Sequence, residues 1–172
     1  MERELLLLGL LRQHEMYGYQ INDLIDAHLS YSIKLTKPTA YRILNNMAGQ
    51  GWISFHEEQV GKRPTRRIYS LTELGEKRFQ ELLKISLRNY EPMYAINTTG
   101  MAFVETLPLN ELLPLLEERR DSNERLISKL RSDDNHHGGF ETIINHQIRH
   151  LETDLEWLSE IIDHYASGTG VN

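Results

Sequence analysis

Cysteine is absent from this sequence of 172 residues, and its absence excludes disulfide bonds, thiolate zinc sites and cysteine nucleophiles together. Long apolar runs are absent as well. The longest stretch, Leu5–Leu11, is interrupted by Gly9 and falls far short of the ~20 residues that a membrane helix needs. The start, Met1–Glu4, carries acidic residues and no small-residue cleavage site follows it, so we expect no secretory signal and a cytoplasmic protein.

The chain also lacks the overall positive charge that favours binding to nucleic acid, because its formal net charge is -6. The charge is unevenly distributed. Residues 1–90 hold 13 Lys and Arg against 10 Asp and Glu, whereas residues 91–172 hold 6 against 15. The acidic balance therefore belongs to the second part of the chain, and the first part can still present a basic surface to DNA.

Residue sets that carry catalysis are missing too: the sequence shows no nucleophile with a base, no phosphate-binding loop and no acids at catalytic spacing. We therefore predict no enzymatic activity and no cofactor. His146, His150 and Asp154 recur every four residues, a spacing that can hold a metal ion. They lie off the apolar side of their predicted helix, where such residues are ordinarily solvated, so we predict no metal site.

Hydrophobic periodicity predicts three helices at the start of the chain. Residues 2–14 form a buried first helix, and apolar residues recur at three and four positions from Tyr17 to Leu29 in a second. The third begins after Thr36, a candidate capping residue, and ends at Gly51. Its apolar side holds Ala40, Ile43, Leu44 and Met47, and its outward faces hold Lys37, Thr39, Tyr41, Arg42, Asn45 and Asn46.

A hairpin and a further helix follow. Trp52–Phe55 and Arg66–Leu71 are predicted strands, Gly61 shapes the turn between them, and Thr72 caps a helix that continues to about Tyr90. Three helices, a basic hairpin and a fourth helix make up a winged helix-turn-helix, whose third helix enters the major groove while the wing contacts the DNA backbone. The predicted DNA contacts are Lys37, Thr39, Tyr41, Arg42, Asn46, Lys62, Arg63, Arg66 and Arg67.

The second part of the chain is predicted to be wholly helical. Pro92 and the polar residues 97–100 mark the boundary, which gives a DNA-binding domain at residues 1–90 and a helical domain at residues 91–172. A long helix contains Pro114 near its start. The last helix carries an apolar seam that we expect to pair with a second copy of the chain, formed by Ile144, Ile148, Leu151, Leu155, Leu158 and Ile162. The predicted fold class is mainly α with a small β-hairpin wing.

Three ordered segments resemble the PadR-like family of transcription regulators over roughly residues 4–85. They are Tyr17–Gln20 at the start of the second helix, Thr39–Leu44 continuing to Gly51 in the third, and the wing from Gly61–Pro64 to Tyr69–Gly75. The resemblance implies a DNA-binding regulator whose C-terminal helices dimerise it and help to form an effector pocket. We expect a homodimeric repressor bound to a pseudo-palindromic operator.

Two alternatives stay open. A winged fold can dock a protein partner instead of DNA, although the basic wing disfavours that interpretation. Aromatic and methionine side chains in the second part can form a pocket for a small aromatic effector, and interdomain packing explains them equally well. The candidate pocket residues are Tyr90, Met93, Tyr94, Met101, Phe103 and Trp157.

Overall fold

The protein is described by a computed structural model over residues 1–28, 35–59, 65–90, 98–132 and 139–168. The chain divides into two compact units, Met1–Glu91 and Pro92–Asn172. Among the described helices, none is both long and apolar enough to cross a membrane. In chain order the elements are α1 (Glu2–Gln13), β1 (Met16–Tyr17), α2 (Gly18–His28), α3 (Lys37–Gly49), β2 (Ile53–Glu58), β3 (Arg66–Leu71), α4 (Glu73–Arg88), a 3₁₀ helix (Thr99–Thr106), α5 (Leu109–Ser132) and α6 (Gly139–Ala166).

The first unit is a winged helix-turn-helix, which confirms the predicted fold class. Its sheet has three antiparallel strands in the order β1-β3-β2, so the central strand is β3. The sequence interpretation placed Tyr17 in the second helix and missed β1, where Met16 pairs with Tyr69 and Tyr17 with Ile68. A strand of two residues is too short to show the alternation by which strands are recognised.

The core of this unit is built by α1, α2 and α3, which pack against the sheet, and by α4, which packs against α1. Burial follows the sequence pattern: Leu7 and Leu8 are fully buried in the first helix, and Ile21 and Leu44 are fully buried on the apolar sides of α2 and α3. Tyr69 is 1% exposed at the centre of β3, next to Phe55 in the register of the hairpin. Burial raises the pKa of the Tyr69 phenol.

The turn from β3 into α4 is held by the predicted cap. The Thr72 hydroxyl oxygen accepts a hydrogen bond from the Gly75 backbone N–H at 3.0 Å, and the hydroxyl lies 2.7 Å from the Gly51 carbonyl oxygen, to which it donates. Gly75 is buried beneath this turn. A Cβ atom on Gly75 would lie 1.9 Å from the Trp52 carbonyl oxygen, so the backbones of two elements meet where only glycine fits.

The second unit is an antiparallel pairing of α5 and α6 with a 3₁₀ helix, and the sequence interpretation missed that short element. The α5 helix continues through Pro114. Leu112, Leu116 and Ile162 form a buried cluster between the helices. The Asn123 side-chain amide donates to the Leu151 carbonyl oxygen at 3.1 Å and adds a polar link between α5 and α6.

The apolar seam of α6 therefore already has a partner within one chain. Ile144, Leu158 and Ile162 are buried there, whereas Ile148, Leu151 and Leu155 are half-buried. The seam predicts a helical partner. Because α5 fills part of that role, dimerisation through the seam stays a prediction.

Candidate nucleic-acid interface

The α3 helix has two chemically different sides, as the sequence predicts. Ala40, Ile43, Leu44 and Met47 are at most 8% exposed, because residues three and four apart share the side that faces the core. Lys37, Arg42, Asn45 and Asn46 are exposed on the other side, with Thr39 and Tyr41 half-buried between. These exposed groups are cations and amides of the kind that hydrogen-bond to phosphates and base edges.

Thr36 begins α3 differently from the prediction. Its side chain makes no capping hydrogen bond to the helix backbone, and its hydroxyl lies 3.0 Å from the hydroxyl of Thr39 instead. Pro38 in the first turn has no N–H that would need a cap. The first turn of α3 thus presents two linked hydroxyl groups beside Lys37.

Tyr41 packs directly on the first residue of α2. A Cβ atom on Gly18 would lie 2.7 Å from Cε1 of Tyr41 and 2.9 Å from its hydroxyl oxygen, which is closer than side chains ordinarily approach. The glycine between Tyr17 and Tyr19 is therefore needed for the present position of Tyr41. The segment Tyr17–Gln20, one of the three that resemble the PadR-like family, thus has a physical role, which is to leave space for the Tyr41 side chain.

We expect Gly18→Ala to weaken DNA binding about tenfold, which corresponds to ~1.4 kcal/mol, while leaving the fold intact. The added methyl group meets the outer end of a tyrosine ring, which can rotate away and take its hydroxyl out of place. Fluorescence anisotropy on a labelled duplex measures the change. Gly100→Ala is the control, since nothing lies within 4 Å of the added methyl group there. Unchanged affinity of Gly18→Ala would contradict a role for the position of Tyr41.

A cavity of about 300 Å³ lies where β1, α2, α3 and β3 meet. Its chemistry is aromatic and cationic, with tyrosine rings from four positions and two arginines. An anionic group that entered it would meet N–H and O–H donors from three segments that are distant in sequence. The lining residues are Tyr17, Gly18, Tyr19, Tyr41, Asn45, Thr65, Arg66, Arg67 and Tyr69.

Arg66 lies on the outer surface of β3 and is exposed. The guanidinium carbon lies 5.2 Å from the ring centroid of Tyr19, and that ring stacks on Tyr17 at 5.4 Å between centroids. Tyr17 in turn donates a hydrogen bond to Glu58, which raises the pKa of the Tyr17 phenol. Aromatic stacking thus orients Arg66, which makes no ion pair to a carboxylate among the described residues.

Arg67 has a different environment from its neighbour. Its Nε lies 3.3 Å from a carboxylate oxygen of Glu57, its guanidinium donates to the Asn45 side-chain oxygen at 3.4 Å, and its Cζ lies 4.3 Å from the Phe55 ring centroid. The hydrogen bond to Glu57 raises the pKa of Arg67. Because Asn45 belongs to α3 and Glu57 to β2, Arg67 joins the wing to the third helix.

Not every predicted contact can be placed. Lys62, Arg63 and the turn residue Gly61 lie outside the described residues, so their DNA-binding role stays a prediction. Sequence reasoning missed Tyr17 and Tyr19 as parts of this site. Their position on both sides of Gly18 was the available signal, but its meaning depends on the packing of Tyr41.

The candidate effector residues are found in varied surroundings. Tyr90 is 87% exposed in the first unit, and Phe103 is 63% exposed in the second. Met101 packs on the buried cluster of the helical unit, and Trp157 is half-buried beneath Arg119, whose Cζ lies 5.6 Å from the ring centroid. Met93 and Tyr94 lie outside the described residues. An effector pocket therefore stays a prediction.

Comparison with known proteins bears on the first unit most directly. Residues 7–81 match the family described as the transcriptional regulator PadR-like family. This match confirms the resemblance predicted from the sequence, and members of that family are transcriptional regulators rather than enzymes. No curated protein sequence matches the chain.

Solved structures match the fold of nearly the whole chain. Bacillus subtilis PadR in complex with operator DNA has 19% identity and a TM-score of 0.79, covering 93% of this chain and 96% of that one. The same protein in complex with p-coumaric acid has 19% identity and a TM-score of 0.70, covering 92% of each chain. The Vibrio cholerae virulence activator AphA has 16% identity and a TM-score of 0.66, covering 96% of this chain and 98% of that one. At these identities the likeness is one of fold.

Proposed function

We propose that this chain is a PadR-like transcriptional regulator. It binds operator DNA as a homodimer and represses transcription by occluding a promoter. Two observations carry the proposal: α3 has an exposed polar side, and Tyr41 and Asn45 of α3 line the same cavity as Arg66 of the wing. An α-helix fits the major groove, and the wing then reaches the adjacent phosphates. The similar fold of Bacillus subtilis PadR, whose structure was solved in complex with operator DNA, supports this arrangement.

The residues of the interface divide into three roles in this proposal. Lys37, Arg42 and Asn46 are exposed on α3, and together with the half-buried Thr39 they contact base edges and the rim of the major groove. Tyr41 and Arg66 bind backbone phosphates, and so do Lys62 and Arg63 at the tip of the wing. Arg67 is a positioning residue, since its guanidinium is held by Glu57 and Asn45.

A homodimer would place two α3 helices on successive major grooves of a pseudo-palindromic operator. The C-terminal unit would supply the interface through the half-buried part of the α6 seam. Repression is the simplest outcome of occlusion, but one neighbour of the same fold is described as a virulence activator. A transcription assay from a promoter that overlaps the operator tests the proposed repression, and the proposed place of action is the cytoplasm.

A small aromatic effector is a further part of the proposal. A neighbour of the same fold has been solved with p-coumaric acid, which is a small aromatic compound. A compound of that kind would act by binding better to the form of the protein that cannot span two half-sites. The proposed surroundings are the aromatic and methionine residues Tyr90, Met93, Tyr94, Met101, Phe103 and Trp157.

The function is tested by selecting duplexes from a random pool with the full chain and sequencing those that bind, across a salt series. We expect an enriched inverted repeat whose half-sites are about one helical turn apart, and an affinity that falls steeply with salt. The second candidate function, docking of a protein partner, predicts no enrichment and no binding even at low salt.

The homodimer has its own test in sedimentation. We expect twice the 20.1 kDa chain mass for the wild type and a single chain for Leu155→Asp, because the substitution places an unpaired charge in the seam. Circular dichroism checks that the variant keeps its helices. Leu115→Asp is the control, since Leu115 is 55% exposed on α5. A folded Leu155→Asp that still sediments at twice the chain mass would remove the seam as the interface.

A further inference from the structure

Two histidines on α6 lie side by side, outside the DNA-binding unit. His146 and His150 are both exposed, and their Nε2 atoms are 3.1 Å apart. Their rings meet edge to face, with 4.4 Å between centroids and 73° between planes. Residues four apart on a helix are neighbours on one side, so the α6 backbone itself sets this approach.

The distance between the two nitrogens matches that of two ligands on one metal ion. Metal–imidazole bonds of ~2.0–2.1 Å that meet at angles between octahedral and tetrahedral values place the nitrogens about 2.9–3.4 Å apart. A hydrogen bond from one ring to the other produces a similar separation. In the metal-bound state a cation lies between the two nitrogens, whereas in the hydrogen-bonded state a proton does. Metal titration distinguishes the two states.

We propose that His146 and His150 chelate one divalent transition metal ion through their Nε2 atoms. Imidazole suits zinc, nickel and copper, and affinity for a given nitrogen site rises from nickel to copper. This proposal differs from the sequence prediction, in which these histidines are solvated and bind no metal. It does not depend on the proposed function, because neither histidine belongs to the winged unit.

Among the described residues, the two histidines are the protein ligands of this site. Asp154 is one turn further along α6, but its carboxylate oxygen lies 3.4 Å from the Arg119 guanidinium and is engaged there. Within the part of the chain that the structure describes, no third histidine or acid joins the pair. Water completes the coordination of the metal, so the ion is exchangeable and open to a further ligand from solution.

Isothermal titration of the full chain with Ni²⁺, and separately with Zn²⁺, tests the proposal. We expect one ion per chain, and we expect either His146→Ala or His150→Ala to weaken binding at least about tenfold. Both side chains are exposed, so both variants should fold, which circular dichroism checks. The control is His164→Ala, an exposed histidine further along the same helix, which should bind like the wild type.

Cu²⁺ added to the wild type supplies an independent signature. Pulsed electron paramagnetic resonance should detect two coordinated imidazoles in the wild type and fewer in His150→Ala. The proposal is overturned if both histidine variants bind Ni²⁺ as tightly as the wild type, if His164→Ala loses as much affinity, or if millimolar Ni²⁺ and Zn²⁺ do not bind.

Discussion

Replacing Gly75 by alanine is expected to destabilise the winged unit by about 3 kcal/mol or more. The new Cβ would lie 1.9 Å from the Trp52 carbonyl oxygen and 2.7 Å from Cδ1 of Leu71, and the first of these atoms belongs to backbone that cannot rotate away. Relief requires the first turn of α4 to move away from Trp52. That movement would break the hydrogen bonds of Thr72 to Gly51 and Trp52.

Thermal unfolding of the full chain measures this effect. The chain has two tryptophans, so a Trp157→Phe background leaves Trp52 as the reporter of the winged unit. A loss of 3 kcal/mol corresponds to a fall in Tm on the order of 12–24 °C for a unit of this size. Gly49→Ala is the matched control, because nothing lies within 4 Å of its added methyl group and alanine is the better helix former. A Gly75→Ala protein as stable as the control would mean that α4 packs differently.

Removing one arginine from α3 and one from the wing should weaken DNA binding in two distinguishable ways. Arg42→Ala should lose about 10- to 100-fold in affinity for the selected operator and little for random duplex, because a base-edge contact exists only on the right sequence. Arg66→Ala should weaken both duplexes alike. It should also reduce the slope of log affinity against log salt by about one unit, the release of one phosphate counterion.

Anisotropy titrations with both duplexes at several salt concentrations separate these outcomes. Arg88→Ala serves as the control, since Arg88 is exposed at the end of α4 and away from the described cavity. Equal losses on operator and random duplex for Arg42→Ala would assign it to the backbone. A sequence-dependent loss for Arg66→Ala would instead bring the wing into base recognition.

Those parts of the fold that follow from periodicity were predictable. The buried side of α3, the Thr72 cap and the strand Arg66–Leu71 come directly from the spacing of apolar residues and from local capping chemistry. Strand β1 was not predictable, since Met16 and Tyr17 become a strand only because they pair with the edge of β3. The 3₁₀ helix Thr99–Thr106 was missed because its residues show no α-helical period.

The sequence predicted which residues make up much of the candidate site, but not which of their side chains contact one another. Arg66 and Arg67 are adjacent and look equivalent in sequence, yet one lies over Tyr19 and the other is held between Glu57 and Asn45. Their difference arises because successive strand residues face opposite sides of the sheet. Spacing alone likewise gave no reason to expect that Gly18 makes room for Tyr41.

Only some residues of α3 can be substituted to alter the operator preference without other effects. Lys37, Arg42 and Asn46 are exposed, so a library that varies them changes the groups offered to DNA without changing what holds the helix. Asn45 is exposed as well, but it carries the bond to Arg67. Substitutions of Asn45 would change the angle of the wing as well as the sequence preference. A selection that varies Asn45 would therefore change both properties at once, whereas one that varies the other three positions changes only the sequence preference.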